Sequence, residues 1–355
     1  MRITEIRIRR EPMALTRPYS IAYKTVSEVE NCVVELAAEG GLTGYGASNP
    51  SEYVVGESLD DTLRTLTPEA CAPLIGRDVR LLRPLTELIE SMFPTSPGSR
   101  AALDIALHDL HAKAFGVPLG EVLGRYHDAL PTSITIGIKG VADTLEEAAE
   151  YLGRGFRNLK VKLGSTPEED LERLRKLRER FGYQFDIRVD ANQAYDAVQA
   201  VQFHQESMPL RIELTEQPLP ATAVAEMRQL PDAVRSSIAA DESLVTPLDA
   251  LLLAQGPAAC GIFNIKLMKC GGIAPALRIA DIARLAGIRL MWGCNDESII
   301  SIAAALHAAF ACPHTRYLDL DGSLDLARDV VRGGFIIEDG MMRPAGGPGL
   351  GVEPL

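Results

Sequence analysis

Five charged residues recur through the second half of the chain at nearly even intervals: Lys162, Asp190, Glu216, Asp241 and Lys266, separated by 28, 26, 25 and 25 residues. Three of them are carboxylates, which repel one another at close range unless a cation stands among them. An all-oxygen donor set suits a hard divalent ion, and Mg2+ leaves positions open for water or substrate. The plainer reading makes the three acids strand-end caps and loop charges that need no ion. Lys162 and Lys266 flank the acids in sequence. A lysine serves as a base only when its pKa is lowered, and a nearby cation does that. The segment "NLKVKLG" (158–164) provides one in Lys160, which projects the same way as Lys162 on an alternating strand. The spacing thus predicts that Lys160 lowers the pKa of Lys162 and adds positive charge beside the ion. The plainer alternative is two lysines with stems on apolar surface and wet heads. Two bases on opposite walls suit removal of a proton from one face of a carbon and its return to the other, which is racemisation or epimerisation.

The elements that must position these residues follow from periodicity. From residue 132 onward, short β-branched runs alternate with amphipathic helical intervals: "SITIGI", "NLKVKL", "FDIRVD", "RIELTE", "SIAADE", "GIFNIK", "IRLMWG" and "RYLDLD". Eight strands joined by helix-like intervals imply parallel βαβ units, and eight units close into a barrel, here without a complete final helix. Each recurring charge ends one such strand. Charges at the C-terminal ends of successive barrel strands converge on one mouth, where barrel active sites lie. Before residue 123 the pattern differs. Strands are expected at 3–9 and 31–38, and helices at 59–70, 80–92 and 98–115, the last stopped by Gly116 with Pro118 beyond. The fold class is therefore α/β: a modified (β/α)8 TIM-type barrel over 124–329 with an N-terminal α+β capping domain over 1–123.

Bulk properties exclude several classes of function. At 355 residues the chain is long for one domain, and 46% hydrophobic with 24% charged residues is ordinary for a soluble protein. A net charge of −12 argues against a nucleic-acid or anionic-membrane partner and permits cationic small ligands. The longest apolar run, 299–311, is too short to span a bilayer and contains His307. The opening "MRITEIRIRR" alternates like a strand and carries no signal segment. Six scattered cysteines without a C-x-x-C read as free thiols, so a cytoplasmic location is expected. His108 and His111 lack a third partner for a metal, "GLTGYGASN" is not a dinucleotide loop, and Trp292 reads as barrel packing.

Taken together, "ALDIALHDLHAKAFGVPL", "LKVKLG", "VDANQAY", "TEQPLP", "ADES", "NIKLMKCGG", "GCNDES" and "GPGLGV" resemble the enolase superfamily, within its muconate-lactonizing-type subgroup. The resemblance spans the chain and implies that the tail, about 330–355, joins the capping domain. It implies Asp190, Glu216 and Asp241 as Mg2+ ligands, Lys162 and Lys266 as the two acid/base groups, Lys160 as an electrostatic partner and Glu297 as a polar group ending the seventh strand. The shared chemistry implied is abstraction of a proton α to a carboxylate by a lysine base, giving an enediolate stabilised by Mg2+. "YLDLDG" places Asp319 and Asp321 on one strand face. It resembles the D-x-D signature of dipeptide epimerases, in which the pair binds the substrate's ammonium; solvated strand-end acids are the bland alternative. N-acylamino acid racemases, cycloisomerases and o-succinylbenzoate synthases share the scaffold but need no ammonium site. L-Ala-L-Glu epimerases carry an arginine near the position of Lys24, and lysine is not an equivalent fork. Their "GxGEA" becomes "GYGAS" here, losing a glutamate at Ala47. Glu52 and Asp296 add negative charge near the mouth, which favours dipeptides with cationic or large side chains. Both acids facing solvent is the alternative. The partner expected is thus a dipeptide, and the scaffold permits a homo-oligomer.

Overall fold

The computed structural model describes residues 1–21, 24–164 and 166–355. Its first unit is an antiparallel sheet of β1 (Ile3–Ile21), β2 (Lys24–Ala38) and β3 (Thr43–Ser48) in that spatial order. The first two strands run well past the 3–9 and 31–38 expected. Residues 10–30 hide this because few apolar positions mark a buried face. The extension is held by the cross-strand charge pair of Arg10 and Glu30 at 3.0 Å, and by Met13, Leu15 and Val29 packing with Leu326 and Val330. The helix expected at 59–70 is two, Leu59–Thr65 and Pro68–Cys71. Proline disfavours the helical conformation in the residue before it, and Thr67 there caps the second helix by accepting from the Ala70 amide.

Helix Pro97–Phe115 is buried on nearly every side and lies directly on the sheet. Gly44 and Gly46 of β3 allow that approach, since a Cβ at either would run into the backbone of Ala106 or Ala102. The helix stops at Gly116, whose left-handed φ of 71° lets its amide reach the carbonyls of Ala112 and Lys113. The tail returns to this region. The Leu119 amide donates to Gly349 O at 2.7 Å, and the Leu350 amide donates to Asp109 Oδ1 at 2.8 Å.

The second unit is an eight-stranded parallel sheet with strands in sequence order: β4 (Ile134–Ile136), β5 (Asn158–Lys162), β6 (Asp186–Asp190), β7 (Ile212–Glu216), β8 (Ile238–Ala240), β9 (Ile262–Ile265), β10 (Arg289–Gly293) and β11 (Thr315–Asp319). Between the first and last strands the seam is closed partly by side chains. The Ser133 amide donates to Leu318 O at 3.0 Å, the Leu320 amide to Thr132 Oγ1 at 3.0 Å, and the Thr135 amide to Asp321 Oδ2 at 2.7 Å. The expected α/β fold of barrel and capping sheet is therefore the one observed.

Strand alternation divides the barrel into an inside and an outside. Leu214, Ala239, Ile262, Met291 and Tyr317 form an apolar cluster of their own, separate from the large core between strands and helices. They plug the barrel interior. Two positions further along each strand, the same inward parity gives Glu216, Asp241, Asn264, Gly293 and Asp319. The polar mouth is built on an apolar floor.

Candidate active site

The inward parity of β5 puts both Lys160 and Lys162 inside the barrel. Lys160 is only 3% exposed. Its Nζ lies 2.8 Å from Asp319 Oδ2, 2.8 Å from Glu216 Oε2 and 3.2 Å from Asp190 Oδ2. Burial opposes its charge, but those three carboxylates outweigh burial and hold its pKa well above the ordinary lysine range. Lys162 Nζ donates to Asp190 Oδ2 at 2.6 Å and to Asn192 Oδ1 at 3.0 Å. Across the mouth, Lys266 Nζ donates to Asp241 Oδ2 at 2.9 Å. Burial again works against its charge, and Asp241 and Glu216 reverse that and raise its pKa. Lys160 and Lys266 are thus held as ammonium ions by the carboxylates they touch.

The acids respond in turn. Burial would raise Asp190, but Lys162 and Lys160 pull it below the usual carboxylate range. Asp241 is depressed the same way by Lys266 and Lys269. Glu216 sits between them, and burial with the Asp190 charge pushes it up to about 8. Its Oε1 accepts from Asn264 Nδ2 at 3.0 Å, whereas its buried Oε2 has the ion pair to Lys160 but no hydrogen bond of good geometry.

The three acids come from adjacent strands β6, β7 and β8 or their ends, with ammonium groups between them. Among the described residues no three acidic, histidine or cysteine side chains gather closely enough to hold a metal ion by themselves. The donor chemistry nevertheless fits a hard divalent cation: oxygen ligands only, buried, with one carboxylate oxygen lacking a hydrogen-bond donor.

Asp319 and Asp321 stand in different surroundings. Asp319 is buried, accepting from Lys160 Nζ and from Ser133 Oγ at 2.6 Å, and Lys160 holds its pKa down against burial. Asp321 lies beyond the end of β11 and is partly exposed. Burial and the charge of Asp319 raise it to about 7. Glu297 is buried, accepts from the Asn295 amide at 2.7 Å and is pushed up to about 8, chiefly by burial. Asp296 is partly buried in the loop after β10, and Glu52 is exposed in the first turn of the short helix Glu52–Val55. The side chain of Lys24 lies outside the described residues.

Sequence reasoning missed two groups. Lys269, on the short helix Leu267–Cys270, is 3% exposed and donates to the Asp241 carboxylate, to Asp241 O at 2.6 Å and to Asn264 O at 3.1 Å. Burial lowers its pKa. Its signal was present in "KLMKC", where it stands one helical turn beyond Lys266. Gln217 is fully buried, and its Oε1 accepts from the Asp241 and Ser243 amides at 2.9 and 3.1 Å, which fixes the Asp241 backbone.

Residues 3–124 match the N-terminal domain of the mandelate racemase / muconate lactonizing enzyme family, and residues 143–355 match the enolase C-terminal domain-like family. The chain belongs to the enolase superfamily. Within it, the L-Lys-D/L-Arg epimerase of Methylococcus capsulatus is 55% identical over 352 residues, covering 99% of each chain. A crystal structure of the dipeptide epimerase from that organism, complexed with Mg and the dipeptide L-Arg-D-Lys, superposes with a TM-score of 0.98 at 55% identity, covering 99% of each chain. A hydrophobic dipeptide epimerase of Enterococcus faecalis is 35% identical over 355 residues, again 99% of both. These superfamily relatives are dipeptide-epimerising isomerases. Among the described residues no helix is long and apolar enough to cross a membrane.

Proposed function

We propose that this enolase-superfamily chain is a Mg2+-dependent dipeptide epimerase that inverts the α-carbon of the C-terminal residue and favours cationic side chains. The observation that carries the reading is the placement of Lys162 and Lys266. Lys162 ends β5 and Lys266 directly follows β9, four strands apart in a ring of eight, so they face each other across the mouth. Each is bonded to an outer member of the acid set, Asp190 or Asp241. A carbon between the two side chains would lose a proton to whichever lysine is the neutral amine and regain one on the opposite face from the other, protonated lysine, which inverts it. A divalent ion held by Asp190, Glu216 and Asp241 supplies positive charge for the substrate carboxylate when bound. Lys160 adds buried positive charge beside that position.

Asp321 is the acid with capacity to spare for a substrate ammonium, because Asp319 is already committed to Lys160 and Ser133. Asp319 then acts mainly by holding Lys160 and by adding negative potential behind Asp321. Glu52 on the capping unit and Asp296 on the barrel bring acidic groups to the side-chain end of the substrate, in keeping with a net charge of −12. The name of the Methylococcus relative points to the same side chains.

The test is deuterium incorporation. The protein is incubated with Mg2+ in D2O and a mixed library of L,L-dipeptides, and masses are read. A gain of one deuterium at the C-terminal residue, strongest for lysine- and arginine-containing dipeptides and absent in EDTA, is expected. Exchange in N-acylamino acids but in no dipeptide would reassign the protein as a racemase.

A further inference from the structure

The capping unit and the barrel meet near the mouth through two asparagines that grip each other's loops. Asn49 follows β3 in the capping sheet, three residues before Glu52. Its Nδ2 donates to the backbone oxygen of Asp296 at 2.7 Å. Asn295 follows β10 in the barrel, and its Nδ2 donates to the backbone oxygen of Asn49 at 2.9 Å. Each asparagine thus holds the main chain of the other loop, and both bonds are partly shielded from water. The Asn49 amide also points at Met268 Sδ, 3.2 Å away and two residues from Lys266.

We infer that Asn49 and Asn295 form a clasp that sets substrate specificity by fixing the loop of Glu52 against the loop of Asp296. The inference rests on the proposed preference for cationic dipeptides. Glu52 and Asp296 come from units that are far apart in sequence. Their spacing is a property of neither unit alone. It is set by whatever ties the two loops, and a charge pair recognises a ligand cation only at a defined spacing. Main-chain acceptors suit this task, because they move only if the loop moves. Asn49 and Asn295 are positioning residues in this account.

The experiment compares steady-state epimerisation of L-Lys-L-Arg and L-Ala-L-Ala by the unaltered protein, by Asn49→Ala, by Asn295→Ala and by the double variant. Loss of one such hydrogen bond is expected to raise KM for L-Lys-L-Arg about tenfold with little change in kcat. L-Ala-L-Ala turnover, which needs no site for a cationic side chain, stays within about twofold and reports that the variant is folded. The double variant is expected to be no worse than about the poorer single one, since both bonds serve one clasp. If Asn49→Ala turns over neither dipeptide, Asn295→Ala decides, as it removes the other half. An equal loss on both substrates, or an unchanged preference for L-Lys-L-Arg, overturns the clasp while leaving the epimerase reading intact. An unaltered protein that epimerises no dipeptide removes the epimerase reading instead, and one without cationic preference removes the inference with it.

Discussion

His307 should make the protein measurably weaker in mild acid. It lies on helix Ile299–Ala311, 2% exposed, and its Nδ1 accepts the Gly120 amide at 3.0 Å. The acceptor nitrogen must be unprotonated, and burial pushes the imidazole pKa down to about 4 from an ordinary 6.5. The sign follows from linkage. A folded pKa below the unfolded one means that the unfolded chain takes up the proton first, so stability is complete above the unfolded value and falls as pH drops through the window from 6.5 towards 4. Within that window each pH unit costs about 1.4 kcal/mol, so the loss by pH 5 is about 2 kcal/mol. The assay is urea unfolding followed by the fluorescence of Trp292, the single tryptophan, at pH 7.5 and pH 5. His307→Asn keeps an acceptor near the Nδ1 position but cannot titrate. The unaltered protein should lose about 2 kcal/mol more than this variant between the two pH values. Equal losses in the two proteins would refute the argument, because acid sensitivity would then arise elsewhere.

Three further outcomes are expected. Lys162→Ala and Lys266→Ala should each lower kcat for epimerisation by about 10^2 to 10^4 with little change in KM, read by NMR of the two epimers; activity above about a tenth in either variant would rule out the two-lysine scheme. Asp321→Asn should raise KM for free dipeptides at least about tenfold, as expected for a charge-assisted bond, and leave N-acetylated dipeptides at their already poor value; a uniform change in both would separate Asp321 from the ammonium. Dialysis against EDTA should abolish turnover, and Mg2+ at about one hundred times its Kd should stabilise the metal-free protein by about 2.7 kcal/mol; unfolding curves indifferent to Mg2+ would remove the ion from Asp190, Glu216 and Asp241.

Much of this site was legible because a barrel repeats. Each βα unit takes about 26 residues, so strand-end charges at 162, 190, 216, 241 and 266 stand out as a period that surface charges have no reason to keep. The alternation of Lys160 and Lys162 gave their common direction. What could not be read was which charge meets which. Lys160 pairs with acids on β6, β7 and at the end of β11, contacts that depend on the radius of the barrel and on no local pattern. For the same reason the raised pKa of Lys160 had no local signal in the sequence. The length of β1 and β2 escaped notice because residues 10–15 and 28–30 are held by the Arg10–Glu30 pair and a three-residue apolar patch, which leave little alternation. Ser133 and Thr135, which close the seam, are ordinary strand residues until the ring brings Leu318 and Asp321 beside them.

That seam ties recognition to architecture. The oxygen that receives the Thr135 amide belongs to Asp321, the same carboxylate proposed to receive the substrate's ammonium. Ligand capture and closure of the ring therefore draw on one pair of oxygen atoms. If Asp321 receives the ammonium as proposed, the Thr135 amide proton is a built-in reporter: its hydrogen-exchange rate and its NMR shift would register an arriving dipeptide without any label, at the joint between the first and last strands of the ring.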